Sequence, residues 1–206
     1  MTSRVKAPVR KQPKQERSRS VVDALVEATA RLVTSQGFEA LTTNSVAKAA
    51  GVSIGSLYQY FPSKEALITS VMNQWADLTT REAVEAFQTL EHAPLQQGIA
   101  RLVQLVMQAT GRHPVLNKAL LEQVHRAGFR EALEHTNRRF EDLFTRWLEG
   151  RTDELAVDDL PMASHLVLRS MIALCENALL HRPERLTSKR FATHLERLAL
   201  AYLTQK

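Results

Sequence analysis

The sequence predicts an all-α protein of about nine helices, and three observations predict it. Apolar residues recur every three or four positions along most of the chain. No run of period-two alternation interrupts them, and only 14 glycines and prolines punctuate 206 residues. The many turns of a β-sandwich or barrel need more breakers than that. With 44% hydrophobic residues the chain can bury a sizeable core, which excludes wholesale disorder.

The elements follow in order. Residues 1–17 form a basic tail that lacks the apolar surface needed to offset ordering entropy. The first 20 residues hold seven Lys and Arg against one acid, whereas the other 186 carry 20 basic and 21 acidic groups. The net charge of +5 is therefore concentrated at this end, where a polyanionic partner would be met. From Ser18 a helical stripe of Val22, Leu25, Val26, Leu32 and Val33 runs to Gly37, placed as a C-terminal stop. Phe38 and Leu41 read as core plugs. Thr42 or Thr43 caps a short helix to Ala50, and Gly51 ends it. A second short helix spans about 54–60, with Leu57 and Phe61 turned inward. Pro62 closes it, and Ser63 caps a long helix carrying Leu67, Ile68, Val71, Met72, Trp75, Leu78 and Phe87.

Proline and glycine punctuate the rest. Pro94 opens a helix that Gly111 closes, and Pro114 opens another, with Leu116, Leu120, Leu121 and Val124, that Gly128 breaks. Residues 129–148 carry Phe129, Phe140, Phe144, Trp147 and Leu148 ahead of Gly150. Asp158 or Asp159 precedes Pro161 and a helix, apolar almost all round, to His181. Pro183 separates the last helix, with Phe191, Leu195, Leu198, Tyr202 and Leu203.

Residues 42–64, TTNSVAKAAGVSIGSLYQYFPSK, carry the most information. Two short helices about a glycine-containing turn, the second followed by aromatics, make a helix-turn-helix pattern. A seven-residue helix is roughly 10 Å long at ~1.5 Å per residue, which suits a DNA major groove ~12 Å wide. Small outward residues, Gly55 and Ser56, permit close approach to base edges. Tyr58, Tyr60 and Lys64 can reach phosphate oxygens, and Thr43 offers a hydroxyl at a helix start, where orphan N–H groups favour phosphate.

Thr42-Thr43, Ala47, Gly51-Val52, Leu57-Tyr58, Phe61 and Lys64-Glu65-Ala66-Leu67, preceded by Gly37-Phe38-Glu39-Ala40-Leu41, resemble the DNA-binding signature of the TetR transcriptional regulators. The match covers residues 18–72 without a gap. The resemblance implies an all-helical homodimer on a pseudo-palindromic operator, with a variable C-terminal part that binds a small effector and releases the DNA. By position the DNA contacts would fall on Thr43, Asn44, Ile54, Gly55, Ser56, Tyr58, Gln59, Tyr60 and Lys64. Ile54 and Gly55 offer no side-chain hydrogen bond, so contact with thymine methyls and DNA shape carry more of the readout. The implied organisation is a reading head at 18–63 and an effector-binding and dimerisation domain at 64–206. A DNA-binding architectural factor without an effector is the alternative.

Enzyme patterns weigh little. Gly51-Val52-Ser53-Ile54-Gly55 matches the G-x-S-x-G string, but that motif works only on a strand-to-helix turn beside a sheet. Ser45–Lys48 matches S-x-x-K without its companion motifs. No two of the seven histidines lie three or four residues apart, so no metal site is expected, and no cofactor. Cys175, the one cysteine, excludes an intrachain disulfide and reads as a packed small hydrophobe in a reducing cytoplasm. No signal peptide or membrane span is read: the richest apolar window, 162–180, is broken by His165, Arg169, Glu176 and Asn177.

Two further sets complete the expectations. Met72, Trp75, Met107, Phe140, Phe144 and Trp147 stand at core-like spacings. Plain packing explains any one of them, while together they could line an apolar cavity for a small apolar or amphipathic effector. Val167, Met171, Leu174 and Ala178, with Leu195, Leu198 and Tyr202, make an apolar surface too wide for one face. The same helix pair of a second subunit is its simplest cover, the alternative being burial within a monomer.

Overall fold

The computed structural model describes residues 16–122 and 129–205, except the side chains of 16, 17, 129–133, 135 and 136. Those residues form nine α-helices and no strand: α1 Glu16–Ala40, α2 Thr43–Ala50, α3 Ile54–Tyr60, α4 Lys64–Thr89, α5 Leu95–Gly111, α6 Pro114–Leu121, α7 Phe129–Glu149, α8 Leu160–His181 and α9 Lys189–Thr204. Short 3-10 turns occupy Thr152–Glu154 and Pro183–Thr187. Most of the basic tail, Val124 and Gly128 lie outside the described residues, and α1 starts at Glu16, two residues before the expected Ser18. Among the described residues no helix is long and apolar enough to cross a membrane.

The chain divides into two compact units, one of residues 1–77 and 119–135, the other of 78–118 and 136–206. In unit 1 the buried apolar positions of the periodic stripe meet: Leu25, Val33, Leu41, Val46, Leu57, Phe61, Leu67 and Ile68 are almost wholly inaccessible to water. Local chemistry sets the breaks between helices. Gly37 takes φ +78° and ψ 169°, outside the helical region and in one that penalises a Cβ, so the first helical run of α1 stops there as expected and a short turn carries on across the kink to Ala40. Thr42, not Thr43, caps α2. Its hydroxyl accepts the Ser45 N–H at 3.1 Å, and its own N–H donates to the Ser45 hydroxyl at 3.1 Å. Gly51, at φ +69°, closes α2, and Ser53 caps α3 by accepting the Ser56 N–H at 3.1 Å.

Unit 2 is built on α5, which contacts α8 and α9. Its aromatic centre is Phe87, Phe144 and Trp147, with ring centroids 5.9–6.2 Å apart. Trp147 also sits against Gly98 on α5, where a Cβ would overlap the indole ring. The indole cannot easily yield, because its N–H donates to the Leu90 carbonyl at 3.0 Å and the Arg151 guanidinium stacks on it at 3.7 Å. Gly98→Ala is therefore expected to destabilise the protein by about 1–3 kcal/mol, the usual cost of overpacking. Ala is the better helix former, so an unchanged or raised melting temperature would refute this close approach.

No periodicity or motif in the sequence marks Arg151. It is 7% exposed, and its guanidinium donates to the carbonyls of Leu90, Glu91, Ala93 and Trp147 at 2.7–3.0 Å. Burial lowers its pKa from the ordinary arginine value, and the nearby Glu154 charge acts the other way. Glu154 in turn accepts the Leu95 N–H at 3.0 Å, capping α5, since Pro94 has no side chain able to do so. Asp159 caps α8 through the Met162 N–H at 2.9 Å. Cys175 is fully buried, and that burial, followed by the Glu176 charge, pushes its thiol up to about 12. It therefore stays protonated and packs as a small hydrophobe.

Candidate nucleic-acid interface

The interface is assembled from α2, α3 and the start of α4, all in unit 1. Leu57 and Phe61 are fully buried, which anchors α3 from its inner side and fixes which residues look outward. Outward stand Ile54 at 38% exposure and Tyr58 at 43%, with Gly55 and Gln59 also exposed. Asn44 is exposed on the first turn of α2.

Two contacts stiffen this surface. The Thr43 hydroxyl and the Tyr58 hydroxyl lie 3.0 Å apart, so α2 aims the phenol that α3 presents. Lys64 Nζ stands 4.6 Å over the Phe38 ring, and this cation–π contact restrains the ammonium at the start of α4. Neither contact was legible in the sequence, because no spacing rule couples residue 43 to 58 or 38 to 64. Both cost their groups little: a hydroxyl pair keeps a free lone pair, and a lysine over a ring keeps its donors.

Two of the expected residues are less open than the others. Tyr60 is only 8% exposed, so its ring packs in the core of unit 1 and only its hydroxyl end is left for the expected phosphate contact. One turn from Leu57 and next to Phe61, it shares their inward side. Ser56 is half-buried and its hydroxyl is 2.8 Å from that of Ser53, so part of its bonding capacity is spent within the turn. Gly55 is the reverse case. A Cβ there would meet only Ser53 Oγ at 3.9 Å, so the protein's own packing does not require glycine. Open backbone on an exposed helix face lets a large partner approach closely.

Ser53 itself is an N-cap between two helices, which removes the structural context that G-x-S-x-G chemistry needs. Among the described residues no group of three or more His, Cys, Asp or Glu is placed to hold a metal.

The other two expected sets divide. Met72 is buried and Trp75 half-buried in unit 1, while Met107, Phe144 and Trp147 are buried and Phe140 half-buried in unit 2. Phe144 and Trp147 come together as a stacked pair, 14° from parallel. On α8 and α9, Val167, Met171, Ala178 and Leu195 are at most 5% exposed, covered by their own chain. Leu174, Leu198 and Tyr202 remain open at 42%, 51% and 41%, joined by Met162 at 51% and Leu166 at 43%. The four buried residues serve the protomer's core, which narrows any interface to the exposed ones.

Residues 94–203 match the family described as tetracyclin repressor-like, C-terminal domain, and residues 25–71 match bacterial regulatory proteins, tetR family. The chain is 37% identical over 114 residues to the nucleoid occlusion factor SlmA of Haemophilus ducreyi, covering 47% of this chain and 55% of that protein. It is 34% identical over 101 residues to the HTH-type transcriptional regulator EthR of Mycolicibacterium smegmatis, covering 47% and 45%. The matched stretch thus spans about half the length of these relatives. The fold is also that of the transcriptional regulator FadR from Bacillus subtilis, solved in complex with stearoyl-CoA. There the TM-score is 0.70 at 14% identity, over 88% of this chain and 98% of that one.

Proposed function

The chain belongs to the TetR family of DNA-binding transcriptional regulators, and from that premise we propose that it is a repressor released from a pseudo-palindromic operator by a small apolar or amphipathic effector. Members of this family bind operator DNA and typically dimerise. The observation that carries the reading is the exposed, pre-aimed face of α3, with Ile54, Gly55, Tyr58 and Gln59 outward and Tyr58 tied to Thr43. Residues 18–63 form the reading head in this reading, and residues 64–206 bind the effector and the second subunit. FadR, crystallised with stearoyl-CoA, supports an effector of amphipathic character. The nucleoid occlusion factor SlmA supports the second reading, a DNA-binding factor that needs no effector. Release of bound DNA by amphipathic acyl compounds separates the two.

Gly55→Ala tests the surface. Alanine is favoured in a helix by roughly 0.5–1 kcal/mol over glycine, and the site has room for it, so stability should hold or rise. Affinity for an operator selected from random DNA should nevertheless fall, because the methyl stands where a base edge must approach. Lys64→Ala should weaken all sequences alike, as a phosphate contact does. Full affinity in both variants would refute the reading surface.

A further inference from the structure

A strong charge on unit 2 has no part in the function described so far. Gly111, the last residue of α5, packs against Leu186, whose Cβ lies 3.5 Å from where a glycine side chain would begin. The turn Pro183–Thr187 therefore closes over the end of α5. The next residue, Arg112, holds both Glu82 oxygens at 2.6 and 2.7 Å. Glu82 lies little more than a turn beyond Leu78, where α4 enters unit 2. These contacts gather the Pro183–Thr187 turn, the start of α9 and the end of α5 at one pole of unit 2.

Arg182, Arg185, Lys189 and Arg190 stand exposed at that pole, with Glu184 the one acid among residues 181–190. None of the four cations forms an ion pair among the described residues. The other pole is acidic. Asp153, Glu154, Asp158 and Asp159 are exposed there, on a loop whose Ala156 N–H donates to the Leu203 carbonyl near the end of α9 at 2.7 Å. Helix stability accounts for only part of this polarity. Arg182 follows the C-terminus of α8, where a cation is favourable, but Lys189 and Arg190 occupy the first turn of α9, where the macrodipole opposes them.

We propose that this basic pole is a second, sequence-independent contact to the phosphates of duplex DNA. The proposal rests on the DNA-binding reading above. Unpaired Lys and Arg without exposed apolar anchors suit a phosphate backbone, which is held by charge alone. A lipid surface would call for exposed apolar side chains to insert, whereas Leu186 in the turn is buried and Phe191 beside Arg190 is half-buried.

The test is the salt dependence of binding to a long random-sequence DNA duplex by the full-length protein. In the pole variant Arg182→Gln, Arg185→Gln, Lys189→Gln and Arg190→Gln are combined. In the charge control Arg146→Gln and Arg197→Gln remove exposed cations elsewhere on unit 2. The slope of log affinity against log salt should flatten by about 0.9 for each phosphate that the pole variant no longer neutralises, and stay at the wild-type value in the control. An unchanged slope in the pole variant, or equal flattening per charge in both, overturns the proposal and leaves the α3 reading intact. An unchanged slope with weakened binding to phosphatidylserine vesicles would assign the pole to membranes and also overturn it. Wild-type protein that fails to bind the duplex at any salt overturns both readings.

Discussion

Leu174→Glu is expected to yield a folded monomer whose operator affinity is lower by about 10²–10⁴-fold, the factor that a second tethered binding event contributes. Leu174 is 42% exposed on α8, within an open apolar strip that includes Met162, Leu166, Leu198 and Tyr202. A glutamate there is solvated in the free protomer, so the fold should survive. In a two-fold interface the same substitution occurs twice and buries two like carboxylates without partners, a penalty of several kcal/mol. Two reading heads must reach half-sites roughly 34–36 Å apart, and a monomer cannot hold both. The reading head itself is untouched. Light scattering and titration of a selected operator check the outcome, with Leu198→Glu as an independent second substitution on α9. A folded monomer binding at full affinity would remove both the dimer and the spacing from the account. In the proposed function this spacing is where an effector would act, since a ligand that favours another head spacing shifts the population away from the DNA-competent state.

Arg151→Met should lower stability by about 3–5 kcal/mol, the range seen when one side of a buried charged network is removed. The guanidinium binds the carbonyls of Leu90, Glu91 and Ala93, just beyond α4, and that of Trp147, and it covers the indole face. Methionine fills much of the space and satisfies none of these acceptors, leaving polar atoms bare in the core of unit 2. For a chain of this size the melting temperature should fall by roughly 10 °C. Arg151→Lys should recover little, because an ammonium cannot reproduce a planar fork aimed at several carbonyls. Near-native melting of either variant would show that water can replace the clamp.

The chain's local grammar made its helices legible. Apolar spacing marked nearly every helix, and the breaks fell at residues whose backbone or side-chain chemistry ends a helix: Gly51 at positive φ, Ser53 and Ser63 as caps, Pro114 at the head of α6. The reading head was equally legible, because a helix-turn-helix packs its information into some twenty consecutive residues. Tertiary structure alone decided the rest, for a common physical reason: each outcome depends on partners far apart in sequence. Periodicity says that a face of α8 or α9 is apolar but not which part its own chain covers, so Val167 and Leu174 read alike and were separated only by packing. Tyr58 and Tyr60 looked interchangeable, and packing alone left the first ring open and buried the second. Arg151 sits in an unremarkable polar segment, yet reaches carbonyls some 60 residues away, and Glu154 caps a helix across 59 residues. Local preferences fix where a helix starts and stops, whereas burial, and with it the energy of every polar contact, is set only when distant segments exclude water from one another.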